Sequence, residues 1–198
     1  MTDLVYTIGH STHSSEALLG LLAAHRVTAV ADVRSAPYSR FNPQFNREAL
    51  AERLRAARIA YVYLGRELGG RSDDEACYVE GRISYDLLAR THTFQDGLDR
   101  IATGLASHQI ALLCAEKDPL TCHRAILVCR HLANRGIGAQ HILEDGRLEV
   151  HDDALNRLLT EHGIAHAQSL FGWDDLIAEA YAKRGQKIAY TEKPHHPA

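Results

Sequence analysis

Short runs of β-branched and apolar residues recur along the chain with helically spaced stretches between them, and this alternation constrains the fold more than any other feature. Leu4–Ile8 ends at Gly9, and Ser14 or Ser15 then stands where a helix bearing Leu18, Leu19, Leu21 and Leu22 needs its N-cap. Val27–Val33 repeats the strand pattern, and Asn46 can cap a helix whose Leu50, Leu54 and Ala57 fall at i, i+4 and i+7. Tyr61–Leu64 reads as a third strand, and Phe94, Leu98, Ile101 and Leu105 mark another amphipathic helix. Ile110–Leu113 is an unbroken apolar run, as expected for a strand covered on both faces. A helix from about Pro119 or Cys122 to Asn134 ends before Gly136. Gln140–Leu143 is a further strand, and Asp145-Gly146 before Leu148–Val150 signals a hairpin at a sheet edge. The pattern predicts an α/β fold: a mostly parallel central sheet of about five strands, helices on both faces, and a C-terminal hairpin and helices.

A chain of 198 residues with 45% hydrophobic content can bury one substantial core. Residues 1–163 are expected to form the α/β domain that carries the site. Residues 164–198 are expected to add a helical extension packed on it, with Trp173, Ile177 and Tyr181 on one stripe and a frayed tail from Thr191. The segment Gly65–Gly81, rich in glycine and charge without a period, is expected to be a functional flap. A net charge of −3 and a pI near 6.5 argue against a wholly basic nucleic-acid coat protein and leave room for a local cationic surface. No apolar run approaches the ~20 residues that span a bilayer, and no basic start leads into an apolar stretch, so a cytoplasmic protein without membrane partners is expected. Cys77, Cys114, Cys122 and Cys129 then read as free thiols.

Parallel strands all end on one side of their sheet, and ligands bind beyond those carboxyl ends. Gly9-His10-Ser11 follows the first strand and precedes a helix, a place that suits an anion; equally, Gly9 can make the turn, Ser11 and Thr12 cap locally, and His10 lie at the surface. Asp32-Val33-Arg34-Ser35 ends the second strand. Arg34 and Arg40 can fork onto phosphate or carboxylate oxygens, with Tyr38, Phe41 and Phe45 adding rings, though Asp32 can instead pair with Arg34. The densest segment runs from Cys114 and Glu116 to Cys122, His123 and Arg124. Cys122 beside a helix start, His123 and Arg124 is a candidate nucleophile, or alternatively a small buried residue sharing a helix face with Cys129. Glu116 and Asp32 can form an acid and base pair. Cys114, Cys122, His123 and His141 can in principle converge on a metal, but with no CxxC pair or HExxH motif neither metal nor cofactor is expected. His25, His92, His108 and His131 read as solvent-exposed.

These motifs, in order from Val5 to Ile142, resemble the bacterial and archaeal family known as domain of unknown function 488: Tyr6-Thr7-Ile8-Gly9-His10-Ser11, Asp32-Val33-Arg34-Ser35 with Pro37 and Ser39-Arg40, Leu113-Cys114-Ala115-Glu116, Cys122-His123-Arg124 and His141-Ile142. The resemblance implies a shared site and no particular reaction. The leading expectation is an enzyme acting on an anionic substrate, a nucleotide or nucleic acid, by N-glycosidic hydrolysis. Catalytic roles fall to Glu116, Asp32, Cys122 and His10, and binding roles to Ser11, Arg34, Ser35, Tyr38, Arg40, Phe41, Cys114, His123 and Arg124. The alternatives are thiol, sulfur-transfer or redox chemistry at Cys122 with Cys114 as its partner, and a non-catalytic nucleic-acid-binding module.

Overall fold

A computed structural model describes residues 3–164 and 172–192. In chain order it comprises β1 (Leu4–Gly9), α1 (Ser15–Ala24), β2 (Ala29–Asp32), α2 (Arg47–Ala56), β3 (Ala60–Tyr63), β4 (Tyr78–Val79), β5 (Arg82–Ile83), α3 (Tyr85–Leu88), α4 (His92–Leu105), β6 (Ile110–Cys114), α5 (Arg130–Ala133), β7 (Gly138–Ile142), β8 (Leu148–Val150), α6 (His151–Glu161) and α7 (Trp173–Ile188). The main sheet has the order β3-β2-β6-β1-β7-β8 and is parallel throughout except for β8, the hairpin strand, which completes one edge as the sixth strand.

The period of two along β6 sorts its residues between two cores. Ile110, Leu112 and Cys114 join the cluster that contains Phe94, Leu98 and Ile101 of α4 and Leu132 of α5. Ala111 and Leu113 join the cluster with Leu18 and Leu22 of α1 and Leu50 and Leu54 of α2. Each buried Leu contributes about 1.5–3 kcal/mol, so a strand apolar at every position holds both helical layers. A third cluster ties Leu155 and Leu158 of α6 and Ile177 and Tyr181 of α7 to Leu120 and Ile126. The C-terminal helices thus support the segment that follows β6. Residues 165–171 and 193–198 of the expected extension lie outside the described residues.

Two expectations, the helix after β6 and the frayed tail from Thr191, need correction. The predicted helix over Pro119–Asn134 is a 3-10 turn at Pro119–Thr121, an extended Cys122, a π-helical stretch at Arg124–Cys129 and only then α5. Asp118 caps the first turn by accepting from Leu120 N at 2.9 Å, and the extended backbone at Cys122 stops it from continuing. The stretch Gly65–Gly81, expected as a functional flap, has Leu68 and Cys77 in the core and a 3-10 turn at Glu75–Cys77 leading into the β4–β5 hairpin. Thr191 is paired with Arg82, and Ile83 N–H donates to Tyr190 O at 2.9 Å, so the chain is held there. No helix among the described residues is long and apolar enough to cross a membrane.

Candidate functional site

Because β6 lies between β1 and β2, the three strand-end segments leave the sheet side by side. His10 N–H donates to Cys114 O at 2.9 Å, Ser11 N–H to Ala115 O at 2.9 Å, and Val33 N–H to Leu113 O at 3.1 Å. Gly9 makes this approach possible, since a Cβ there would lie 1.8 Å from the Glu116 carbonyl oxygen.

Beneath the rim is a buried polar knot. Asp32, with no exposed surface, accepts from Arg34 Nε at 2.9 Å and Nη2 at 2.7 Å, from Arg34 N at 3.1 Å, and from Tyr61 Oη at 2.8 Å. Arg34 Nη1 donates to His10 Nε2 at 3.2 Å, which leaves His10 Nδ1 to donate to Ser11 O at 2.9 Å. Burial, with the Arg34 charge adding to it, lowers the His10 pKa to about 4, so this imidazole is neutral. Its ring packs against Phe45 with centroids 4.4 Å apart. These contacts give Asp32, Arg34 and His10 a structural part, the pairing of Asp32 with Arg34 being one of the two readings open from the sequence. Both carboxylate oxygens of Asp32 are occupied, the guanidinium of Arg34 is held by Asp32 and His10, and His10 is neither a surface residue nor in the lining of the cleft above. Ser11 has a left-handed backbone at φ 46°, and it is Ser14 that caps α1 by accepting from Ala17 N at 3.1 Å.

Above the knot is a cleft of about 290 Å³ lined by Arg34, Ser35, Cys114, Glu116, Cys122 and His123, all of them anticipated from the sequence. The sulfurs of Cys114 and Cys122 and a ring nitrogen of His123 lie within 4.8 Å of one another. His123 Nδ1 is 3.8 Å from each sulfur, and Cys114 Sγ donates to Glu116 Oε2 at 3.0 Å. On the far side of the ring, Nε2 is 3.0 Å from Val33 O; only an N–H can pair with a carbonyl, so Nδ1 is the atom presented to the sulfurs. Among the described residues, these three form a group that could hold a metal ion.

The two thiols are driven apart electrostatically. Burial opposes ionisation of Cys122, but the Cys114 thiol and the charges of Arg124 and His123 together hold its pKa well below the usual range. The adjacent Cys122 sulfur and burial push Cys114 well up. Burial alone would lower His123; the Cys122 sulfur outweighs it and raises the imidazole. Glu116 is exposed as a whole residue, yet its carboxyl folds back on Cys114, where burial and then the Cys122 sulfur push its pKa up.

Arg124, expected to bind phosphate, instead turns inward. Its guanidinium donates to Glu116 O at 2.8 Å, Lys117 O at 3.2 Å and Thr7 Oγ1 at 3.3 Å, while its backbone N–H points at Cys122 Sγ at 3.4 Å. Tyr38, Arg40 and Phe41 are exposed and outside the cleft lining. Tyr38 Oη donates to Glu48 at 2.7 Å, and the Arg40 guanidinium lies 4.7 Å from the Phe41 ring centroid. His141 does not join the cysteines. Its Nδ1 pairs with Thr7 Oγ1 at 2.7 Å and its Nε2 reaches His151 at 3.0 Å, which in turn reaches Tyr181 Oη at 2.8 Å. Among the remaining histidines, His92 and His108 are exposed as expected; His25 is half-buried against Gly146 O at 2.9 Å, and His131 is half-buried edge-on to Phe94.

Tyr85, Tyr190, Arg71 and Gly70 are among the lining residues that the sequence did not single out. Tyr85 comes from α3 and Tyr190 from the segment after α7, with the Arg71 guanidinium 4.0 Å over the Tyr190 ring. Gly70 lets its loop lie flat on His123, since a Cβ there would come within 3.1 Å of the ring. The Gly69-Gly70 doublet was a visible signal for this loop; nothing local marks either tyrosine.

Fold and site together define an α/β protein with a cysteine and histidine cluster at the carboxyl ends of its central parallel strands. The chain belongs to the family described as domain of unknown function DUF488, whose model matches residues 14–130. That match takes in Asp32–Arg40 and Cys114–Arg124, beginning after Gly9-His10-Ser11 and ending before His141. No curated protein and no solved structure matches the chain.

Proposed function

We propose that this protein is a cysteine-based enzyme catalysing thiol and disulfide exchange, with Cys122 as the attacking thiol and Cys114 as its resolving partner. The observation that carries this reading is the convergence of two sulfurs and His123 Nδ1 within 4.8 Å in the lining of one cleft. The Cys122 thiolate attacks one sulfur of a substrate disulfide, forming a mixed disulfide and expelling the other half as a thiolate that takes a proton from the His123 imidazolium. Cys114 then gives up its proton to Glu116 and attacks the Cys122 sulfur, expelling the second half of the substrate as a thiolate that takes that proton back from Glu116. The substrate disulfide is reduced by two electrons, the two cysteines are oxidised to a disulfide, and two equivalents of an external small-molecule thiol reset them, leaving as their disulfide. Arg71, exposed at the cleft, gives the substrate's anionic groups a partner.

Hydrolysis of an N-glycosidic bond has less support, because Asp32 is tied to Arg34 and Tyr61 and only Glu116 remains as a carboxylate in the cleft lining. The exposed Arg40 and Phe41 stack favours a second reading, a nucleic-acid-binding surface, for which Arg40→Ala weakens binding to single-stranded DNA and lowers its salt dependence. To test the exchange reading, the reduced protein is incubated with glutathione disulfide and mapped by mass spectrometry. The expected products are a Cys114 to Cys122 disulfide in the wild type and a mixed disulfide trapped on Cys122 in Cys114→Ser. If Cys122 reacts no faster than the buried Cys77 and Cys129, the proposal is wrong.

A further inference from the structure

Going beyond the exchange reaction, we infer that the reduced cluster of Cys114, Cys122 and His123 is a binding site for a single thiophilic divalent cation of the zinc type, with its fourth coordination position facing the cleft. Tetrahedral coordination with Zn–S of ~2.3 Å and Zn–N of ~2.0–2.1 Å places neighbouring sulfur and nitrogen ligands ~3.6 Å apart. The two Nδ1 to sulfur separations are 3.8 Å each and all three atoms lie within 4.8 Å of one another, so an ion needs the side chains to close in by at most about 1 Å.

Three surrounding contacts fit the same purpose. The Val33 carbonyl holds His123 Nε2–H at 3.0 Å, which fixes the ring orientation and the tautomer that leaves Nδ1 free to ligate. Arg124 N–H approaches Cys122 Sγ at 3.4 Å and can stabilise a metal-bound thiolate. Glu116 Oε2, 3.0 Å from Cys114 Sγ, can take the proton that this thiol must lose on ligation. Two thiolates and a neutral imidazole balance a divalent charge, so the loaded site is neutral where both cysteines are almost fully buried. Three protein ligands and one position open to a cleft is the arrangement of catalytic rather than purely structural zinc. Cys114, Cys122 and Cys129 all belong to one apolar cluster, but Cys114 and Cys122 also meet an imidazole that a carbonyl has aimed at them.

The test is a titration of the reduced full-length protein with Co(II), followed by displacement with Zn(II). The expected result is a thiolate-to-cobalt charge-transfer band and tetrahedral d–d absorption that saturate at one ion per chain and vanish when one equivalent of Zn(II) is added. His123→Asn is expected to weaken Co(II) binding at least ~10-fold, the lower end of what losing even an outer partner costs. Cys77→Ser should change nothing. Absence of the charge-transfer band in wild-type protein overturns the proposal, and so does a folded Cys122→Ser variant that binds Co(II) as the wild type does; the wild-type spectrum decides alone if that variant fails to fold. Binding of Co(II) by protein that is inert to glutathione disulfide keeps the cation site and removes the exchange reaction. Disulfide formation without the cobalt spectrum does the reverse.

Discussion

Asp32 and Arg34 show how much a single pair of residues carries. The carboxylate is fully buried and meets four donors, and Arg34 connects it to His10. Asp32→Asn keeps the shape but leaves a buried guanidinium without its counter-charge, a change that costs about 3–5 kcal/mol in comparable ion pairs. A urea titration is expected to give an unfolding free energy lowered by that amount, and a value within about 1 kcal/mol of wild type would show that Arg34 finds another partner. The pairing was legible in the sequence, since residues i and i+2 beyond a strand can meet, and it was one of two readings open for Asp32. The burial of His10 was not legible, because Phe45 and Arg34, which cover and bond it, come from the segment after β2.

Among the elements, β6 announced itself by being apolar at every position, whereas the stretch after it did not. Asp118 and Pro119 are start signals that a 3-10 turn and an α-helix share, and the inward turn of Arg124 toward Glu116 O and Thr7 is a tertiary contact invisible in local pattern. Strand β7 and helices α6 and α7 contribute His141, His151 and Tyr181, joined in one buried hydrogen-bonded line. Burial lowers His151 to about 4 and holds His141 well below its usual value, as burial does to His10. As pH falls, the unfolded chain takes up protons first, near ~6.5, while the folded imidazoles stay neutral. Their stabilisation is therefore complete above ~6.5 and is lost as pH falls through that value toward about 4. The loss is on the order of 3 kcal/mol each for His10 and His151. Thermal midpoints should drop between pH 7 and pH 4.5, with a shallower drop for His151→Gln; equal slopes for the two proteins would contradict this account.

At the scale of the whole molecule, the fold class and the side-by-side strand ends followed from the alternation of strands and helices. The walls of the cleft did not, because Arg71, Tyr85 and Tyr190 come from segments whose placement depends on packing of α3 and α7. A chain cut after residue 164 would lose Ile177, Ala180 and Tyr181 from the core that backs Leu120 and Ile126. Such a fragment is expected to unfold without cooperativity or to lose the rapid reaction of Cys122, both readable from one denaturant series followed by alkylation. Retention of a sharp transition with unchanged Cys122 reactivity would make α7 dispensable.

The position of β6 has a consequence for how the protein comes into being. Strands β1 and β2 are synthesised early yet never pair with each other; the seat between them stays vacant until residues 110–114 have been made. A nascent chain therefore emerges with two unsatisfied strand edges and acquires its sheet centre late, an interval in which chaperone protection matters most.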